Sequence, residues 1–271
     1  MKSRTILLTN DDGIESPGLW AAAEALSDIG QVTVVAPLEQ HTSAGRSMPS
    51  SSDGSLHRRN FTIKGKRWTA YAVGGTPGQA VRHGIYEVLG KKPDLVASGI
   101  NYGENVGSCV TISGTVGAAI EGAALGVPSI AVSLQTEEKD NLSHSRDIDF
   151  SAAAHFTRLG ADMFLRAGSF RDVDILKIEV PTGATPDTPW TVTSVARHYY
   201  YVPVKPRRMS LGEPAPFTYR IEFDEKKLDP DTDIHALRVQ RRVSISPISI
   251  DMTSRVDLNE LERHLRRVSR A

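Results

Sequence analysis

Residues 5–37 read TILLTNDDGIESPGLWAAAEALSDIGQVTVVAP, and their pattern indicates the fold class. The stretch begins with a strand-like apolar run and continues with a helix-like segment that starts at Ser16 and Pro17 and stops near Gly30. A serine cap followed by proline is a typical helix start. The stretch then returns to a second apolar run, QVTVVAP. Apolar strands that alternate with helices predict a parallel sheet covered on both faces.

The same alternation continues along the chain. Strands are predicted at PDLVAS (residues 93–98), SIAVS (129–133), DILKIEV (174–180) and RRVSISPISIDMT (241–253), with a hairpin at FTIKGKRWTAYAV (61–73). Helices are predicted over residues 78–89, 114–126 and 151–168. Extended strands and loops are predicted over residues 182–233, which are rich in Pro, Tyr and Arg. A short amphipathic helix from Asp257 carries an apolar face that needs a surface to pack on, formed by Leu258, Leu261, Leu265 and Val268.

The bulk composition narrows the function classes. The chain has 271 residues, and its 32 Lys+Arg equal its 32 Asp+Glu, so no net basic charge indicates a nucleic acid polymer as partner. A single cysteine, Cys109, rules out an internal disulfide and favours the cytoplasm. No apolar run approaches the length of a membrane span, and the N-terminal one is too short for a signal peptide. We therefore expect a cytoplasmic protein without a membrane partner.

Two adjacent carboxylates, Asp11 and Asp12, follow the first strand. Because like charges repel and raise each other's pKa, we expect a group of opposite charge to compensate them. Ligands of open parallel sheets sit beyond the carboxyl ends of the strands. Three further polar, glycine-bearing segments are predicted at that edge: HTSAGRS (41–47), SGINYGEN (98–105) and SGTVG (113–117). Each alone fits an ordinary turn or helix cap. Together they place oxygen atoms and backbone N–H groups at one edge.

This set of oxygen atoms favours Mg²⁺ or Mn²⁺. Asp11 and Asp12 supply charge, a hydroxyl from Thr42 or Ser43 and the amide oxygen of Asn101 add neutral ligands, and no His or Cys cluster has zinc-like spacing.

Residues 113–117 are typical of an anion site, because hydroxyls and N–H groups at a helix N-terminus suit a phosphate. A metal beside a phosphate site indicates metal-assisted hydrolysis of a phosphate ester.

Six ordered blocks resemble one known family. They are ILLTNDDGIESPGLWAAAEAL, VVAP followed by TSAGRS, GGTP, DLVASGINYGENVG, SGTVGAAIEGA with GVPSIAVS, and VSISPI. In identity, order and spacing they resemble the SurE family of nucleotidases, most densely over residues 6–133 and again near 238–247.

The resemblance implies an α/β fold with a Rossmann-like three-layer core, a mainly parallel sheet, and a C-terminal arm and terminal helix exchanged between subunits. We expect one domain over residues 1–271, with the metal site in 1–135 and a core helix, a strand, the arm and the terminal helix in 136–271. The protein would then be a homodimer or tetramer with one Mg²⁺ or Mn²⁺ per subunit, and a monomer in solution scattering would count against this.

The resemblance also implies site residues. Its metal ligands fall on Asp11, Asp12, Thr42 and Asn101, with Thr42 standing where serine is usual. Its phosphate pocket falls on Asn10, Asn105, Ser113, Gly114 and Thr115, with Ser43 as a neighbouring hydroxyl. Candidates for contacting the nucleobase are Tyr102 and, from the arm, Arg197, Tyr199 and Tyr200. The chain departs from the family pattern at Gln79, where aspartate is common, and at Lys177 and Glu179, where asparagine is frequent.

The implied reaction is hydrolysis of nucleoside 5′-monophosphates, extending to 3′-monophosphates and short polyphosphate, by a water molecule that the metal activates. Asp11 or Asp12 orients or deprotonates that water, and both stay open as the base. No leaving-group acid is evident, and His41 and His198 are weak candidates because neither belongs to a recognisable cluster.

Two other functions compete with this one. A haloacid-dehalogenase-like phosphatase also begins with an aspartate after its first strand, but its second aspartate comes two residues later, where this chain has Gly13. Trapping of an aspartyl-phosphate separates that mechanism from hydrolysis by water. A sensor or scaffold that binds metal and phosphate without turnover is the non-enzyme alternative, and absence of phosphate release would favour it.

Overall fold

The computed structural model describes residues 4–140, 145–168 and 170–269. Its strands are β1 Thr5–Thr9, β2 Gln31–Pro37, β3 Leu56–Ile63, β4 Lys66–Val73, β5 Leu95–Tyr102, β6 Ser129–Leu134, β7 Ile175–Val180, β8 Trp190–Val192, β9 Tyr201–Val204, β10 Thr218–Ile221 and β11 Val243–Ile248. Its α-helices are α1 Pro17–Leu26, α2 Pro77–His83, α3 Gly114–Ala124, α4 Ser151–Ala167, α5 Asp233–Arg238 and α6 Leu258–Val268.

Nine of these strands form one sheet in the order β3-β4-β2-β1-β5-β6-β7-β11-β8. The six from β4 to β7 run parallel, whereas β3 pairs antiparallel with β4 and β11 pairs antiparallel with β7. β1 lies between β2 and β5, with Leu7 opposite both Thr33 and Val96. The mainly parallel sheet predicted from the apolar strands is therefore confirmed, and β1 delivers the aspartates to its centre.

Helices cover both faces of this sheet. Ile6 and Leu8 pack in a core with Leu19 of α1 and Phe156 of α4. Leu7 points to the opposite face because successive strand residues alternate, and it packs with α2 and α3 side chains such as Val81 and Ala118. The three-layer core is confirmed.

The ends of α1 and α2 differ from the sequence prediction. Ser16 stands at the N-cap position of α1 without a side-chain cap bond, and the helix ends at Leu26, before Gly30. Gly30 is required by packing instead, since a Cβ there would lie 2.8 Å from the carbonyl oxygen of Arg4.

The helix predicted over residues 78–89 begins at Pro77 and continues as a π-helical turn over Gly84–Leu89. Thr76 and Gln79 form a reciprocal capping box at its start, with Thr76 N–H donating to Gln79 Oε1 at 2.9 Å. Gln79, one of the family departures, therefore has a structural role as a helix cap.

The second half completes the sheet and adds an arm. Residues 182–233 contain β8 and the two-stranded β9–β10 hairpin, which agrees with the prediction of extended strands and loops, and α5 comes next. The predicted amphipathic helix forms α6, whose apolar side chains are all exposed. Exchange of this region between subunits and the division at residue 135 stay predictions. Among the described helices, none combines the length and the apolar character that crossing a bilayer requires.

Candidate functional site

A cavity of about 280 Å³ opens beyond the carboxyl ends of β1 and β5. Its wall consists of residues from the β1 and β5 ends, the loop after β2, the segment before α3 and the β9–β10 hairpin: Asp11, Asp12, Thr42, Ser43, Asn101, Tyr102, Gly103, Glu104, Asn105, Cys109, Ile112, Ser113, Tyr199, Tyr201, Pro203, Phe217, Thr218 and Tyr219. All four expected metal ligands therefore share one cavity with Ser43, Asn105, Ser113, Tyr102 and Tyr199.

Asp11 is held by the start of α3. Its Oδ1 accepts a hydrogen bond from the Thr115 hydroxyl at 2.6 Å, and backbone N–H groups of Gly114 and Thr115 also donate to its carboxylate. Gly114 has room for no side chain, because a Cβ there would lie 2.7 Å from Asp11 Oδ2. The helix N-terminus that the sequence predicted as a phosphate site is thus already partly satisfied by a carboxylate of the protein.

Asp12 is held from two other elements. Its Oδ1 accepts from Gln40 Nε2 at 3.0 Å, and its Oδ2 accepts from the backbone N–H of Tyr102 at 3.3 Å. The loop after β2 and the end of β5 therefore fix the second aspartate beside the first.

Burial raises the pKa of both carboxyl groups. The pKa of Asp11 rises to about 6 chiefly through burial, although the bonds from Thr115 and Gly114 oppose the rise. Burial also raises the pKa of Asp12 well above its ordinary range, and the neighbouring charge of Asp11 adds to this. Two ionised carboxylates in this buried position are therefore unfavourable without a cation, as expected from the adjacency of Asp11 and Asp12 in the sequence.

Asn10 closes the turn behind the aspartates. Its Nδ2 donates to the carbonyl oxygen of Gly13 at 3.0 Å, and its Oδ1 accepts from the Gly13 N–H at 3.2 Å. Asn10, Gly114 and Thr115, three of the expected phosphate contacts, thus have partners inside the protein and lie behind the cavity wall. They support Asp11 and its turn instead of facing the cavity.

Asn101, near the end of β5, and Asn105, three residues after it, both line the cavity. The Nδ2 of Asn101 donates to the carbonyl oxygens of Tyr102 at 2.9 Å and Gly103 at 2.7 Å, which leaves its amide oxygen as the atom available to a cation. The Nδ2 of Asn105 donates one hydrogen to Ser133 Oγ at 2.9 Å and retains a second for a ligand.

The loop that carries Thr42 and Ser43 is pressed against α3. Both residues are exposed toward the cavity, and the Gly45 N–H donates to the carbonyl oxygen of Ile112 at 2.9 Å. Gly117 has room for no side chain, because a Cβ there would lie 2.1 Å from the Gly45 carbonyl oxygen.

An ion pair holds the same loop. Arg46 and Arg82 each lie 2.6 Å from the buried carboxylate of Glu121 in α3. The position of the two hydroxyls therefore depends on close packing and on this ionic contact.

Part of the cavity wall is aromatic. Tyr199, Tyr201, Phe217 and Tyr219 form this aromatic wall, in which the Tyr201 and Tyr219 ring centroids lie 5.0 Å apart. The sequence predicted only Tyr199 of these four. The Tyr-rich run at residues 199–201 was a usable signal for Tyr201, whereas Phe217 and Tyr219 reach the cavity only because β10 pairs with β9.

Several other candidates lie outside the cavity wall. Arg197 is exposed, and Tyr200 is buried beneath the wall with its hydroxyl donating to Glu104. The ring of His198 bonds to the carbonyl oxygen of Glu222 at 2.8 Å, and the His41 backbone N–H donates to the Asp11 carbonyl oxygen at 2.7 Å. Neither histidine belongs to the lining of the cavity.

Comparisons with known proteins identify the same family throughout. The family model described as Survival protein SurE matches residues 6–202. The 5′-nucleotidase SurE of Thermococcus gammatolerans is 43% identical over 96% of this chain and 95% of its own. The 5′-nucleotidase SurE of Methanosarcina mazei is 41% identical over 96% of this chain and 97% of its own. The crystal structure of the SurE protein from Aquifex aeolicus superposes with a TM-score of 0.76 at 30% identity, covering 98% of this chain and 99% of that one.

Proposed function

The chain belongs to the SurE family, and on that basis we propose that it is a divalent-metal-dependent 5′-nucleotidase that hydrolyses nucleoside 5′-monophosphates to nucleoside and phosphate. The observation that carries the proposal is the cavity itself: two buried, adjacent carboxylates form one part of its lining and the aromatic wall forms another. A nucleotide has the matching polarity, with a phosphate at one end and a flat base at the other.

The residues at the carboxylate end fit a hard divalent cation. Asp11 and Asp12 would supply the charge, with the amide oxygen of Asn101 and the hydroxyl of Thr42 as neutral ligands. Within residues 4–140, 145–168 and 170–269 no three His, Cys, Asp or Glu side chains are grouped to hold a metal. Two carboxylates with neutral oxygens suit Mg²⁺ or Mn²⁺, which keep several waters, better than zinc.

When bound, such a cation would offset the negative charge of the aspartates and of the substrate phosphate. The chain's own groups then bind, orient and move protons. Asn105 Nδ2 and the Ser113 hydroxyl donate hydrogen bonds to phosphoryl oxygens of the substrate. The Ser113 side chain is held in place because its oxygen accepts the Val116 N–H at 3.1 Å. A carboxylate oxygen of Asp11 or Asp12 accepts the proton of the attacking water.

The aromatic wall would hold the nucleobase. Tyr199, Phe217 and Tyr219 remain 43% to 69% exposed, so their faces are accessible to a flat ring. Stacking of a base on an aromatic side chain contributes about 1–3 kcal/mol and tolerates any base. We therefore propose broad base acceptance, with Tyr102 covering the end of β5.

Phosphate release from a panel of substrates tests this function. We expect hydrolysis of 5′-AMP and 5′-GMP with Mg²⁺ or Mn²⁺ and none in EDTA. Ribose 5-phosphate, which lacks a base, should show kcat/KM lower by about tenfold, the equivalent of one stacking contact. The 3′-monophosphates and tripolyphosphate in the same panel decide whether the activity extends to them.

Two results of that panel would contradict the proposal. No phosphate release with any metal would favour a binding protein without turnover. A trapped aspartyl-phosphate would indicate a covalent mechanism, since hydrolysis by water leaves no phosphorylated aspartate.

Thermal unfolding tests the metal site without turnover. A carboxyl group whose pKa is raised in the folded state favours folding below its unfolded pKa, near 3.8 for Asp11, and this contribution is lost as pH rises through about 6. In EDTA at pH 7, Asp11→Asn should therefore unfold at a higher temperature than the wild type, with the difference closing toward pH 4. The pKa shift of Asp11 corresponds to a difference on the order of 3 kcal/mol.

Adding Mn²⁺ at pH 7 should raise the unfolding temperature of the wild type but not that of Asp11→Asn, because binding to the folded state stabilises it. Equal responses of the two proteins to Mn²⁺ would place the cation elsewhere.

A further inference from the structure

A buried ionic network lies beneath the cavity. Lys177 and Glu179 point to the same face of β7, because they are two residues apart on a strand, and both are fully buried. The Lys177 Nζ lies 3.1 Å from Asp233 Oδ2 and 3.5 Å from Glu179 Oε1. One cation thus joins two buried carboxylates, and we call these three residues the Lys177 network.

Lys177 is charged in this environment. Burial by itself lowers the pKa of its amine, but Asp233 and Glu179 outweigh that effect and the pKa lies above its ordinary value. Buried ion pairs contribute little net stability compared with well-packed apolar side chains. Stability alone therefore gives no account of this buried network, in which Lys177 and Glu179 are two positions where the chain departs from the family pattern.

The carboxylates of the network also hold the backbone of the cavity wall. Glu179 Oε2 accepts the N–H of Asn105 at 2.9 Å, and Asp233 Oδ2 accepts the N–H of Gly107 at 3.1 Å. Asn105 is the residue whose side chain faces the substrate phosphate in the proposed function. The conformation of residues 104–108 is thus set by two acceptors that Lys177 neutralises.

Further hydrogen bonds connect Asp233 and residues 104–108 to the segment that leads to the aromatic wall. Asp233 Oδ1 accepts the N–H of Ala196 at 3.0 Å, and the Ser108 N–H donates to the carbonyl oxygen of His198 at 2.9 Å. The Tyr201 hydroxyl donates to the carbonyl oxygen of Glu104 at 2.8 Å. Residues 196–201 lead into β9, so the network connects the phosphate end of the cavity with the base end.

We propose that Lys177, Glu179 and Asp233 are positioning residues, which hold residues 104–108 so that Asn105 meets the phosphate while the aromatic wall meets the base. This inference rests on the proposed function. None of the three lines the cavity, so they act only through the residues they hold.

A pair of variants at one position separates positioning from general stability. Glu179→Gln and Glu179→Met both remove the charge at similar length and leave Lys177 with Asp233, but only glutamine keeps an oxygen to accept the Asn105 N–H. With 5′-AMP we expect Glu179→Gln to stay within about threefold of the wild type. Glu179→Met should lose roughly 10- to 100-fold in kcat/KM, as expected for a displaced contact at the reacting group.

Thr193→Val is the matched control. Thr193 is buried, and its hydroxyl bonds to Ser244 at 2.7 Å and Ser246 at 2.9 Å, neither of which belongs to residues 104–108. Thr193→Val should lower the unfolding temperature while its kcat/KM stays within about twofold of the wild type. Equal kcat/KM for Glu179→Gln and Glu179→Met, or an equal loss in Thr193→Val, would overturn the inference.

Two additions keep the result decisive. Should Glu179→Met not fold, Lys177→Met/Glu179→Met/Asp233→Asn removes all three ionisable groups together and so leaves no unpaired buried charge, and it carries the same expected loss.

Hydrogen exchange of residues 104–108, measured without substrate, should be faster in the methionine variant than in Glu179→Gln. Equal exchange rates would reject the network's role even if the wild type hydrolysed no nucleotide, so failure of the function and failure of this inference remain distinguishable.

Discussion

Asp11→Asn should abolish hydrolysis of 5′-mononucleotides, with a fall in kcat/KM of about 10³-fold or more in Mg²⁺ or Mn²⁺. The carboxylate supplies half of the negative charge that the site offers a cation, and an amide cannot replace it. A loss of several kcal/mol of transition-state stabilisation corresponds to this factor. The measurement is phosphate release from 5′-AMP across a range of metal concentrations.

The fold of this variant should be intact. Asparagine has the same shape, and the Thr115 hydroxyl, which donates to Asp11 at 2.6 Å, can also accept from an amide N–H. Backbone N–H groups of Gly114 and Thr115 retain an oxygen to donate to. A loss of activity with an unchanged circular dichroism spectrum therefore reports on the chemistry of the carboxylate and not on unfolding.

Asp28→Asn is the control for this change. Asp28 is exposed in the turn after α1 and lies outside the cavity wall, so the same substitution there should leave kcat/KM within about twofold. If Asp11→Asn kept near-wild-type activity with metal present, the assignment of the two aspartates would be wrong.

The central fold and the meeting of Asp11, Asp12 and Asn101 at one cavity were predictable from the sequence for a physical reason. Apolar runs such as TILLT are read as buried strands without knowing their neighbours, and parallel strands bring their carboxyl ends to one edge. Asp11 and Asp12 come just after β1, and Asn101 is the last residue but one of β5. Their meeting at one cavity therefore follows from local pattern and topology alone.

The partners of these residues were not predictable in the same way. Thr115 was expected to bind phosphate, because SGTVG has the composition of an anion site, but its hydroxyl bonds to a carboxylate 104 residues earlier in the chain. Lys177 and Asp233 are 56 residues apart, and only the packing of α5 on the sheet brings them together. Sequence patterns report the chemistry a residue offers, whereas tertiary packing selects which partner uses it.

The loop that carries Thr42 should respond sharply to a single methyl group on α3. Gly117→Ala would be expected to stabilise an isolated helix by about 1 kcal/mol, since alanine is the better helix former. In this protein the Cβ would lie 2.1 Å from the Gly45 carbonyl oxygen, which is backbone and cannot rotate away.

The variant should lose about 1–3 kcal/mol of stability from overpacking, and the displaced loop should lower kcat/KM by roughly 10- to 100-fold. Gly160→Ala in α4 is the matched control, because its Cβ would meet only the Cδ1 end of the Ile178 side chain, at 2.3 Å, far from the loop. There we expect a small change in unfolding temperature and kcat/KM within about twofold. Wild-type activity in Gly117→Ala would show that the contact of the Thr42 loop with α3 does not set the geometry of the cavity around Asp11 and Asp12.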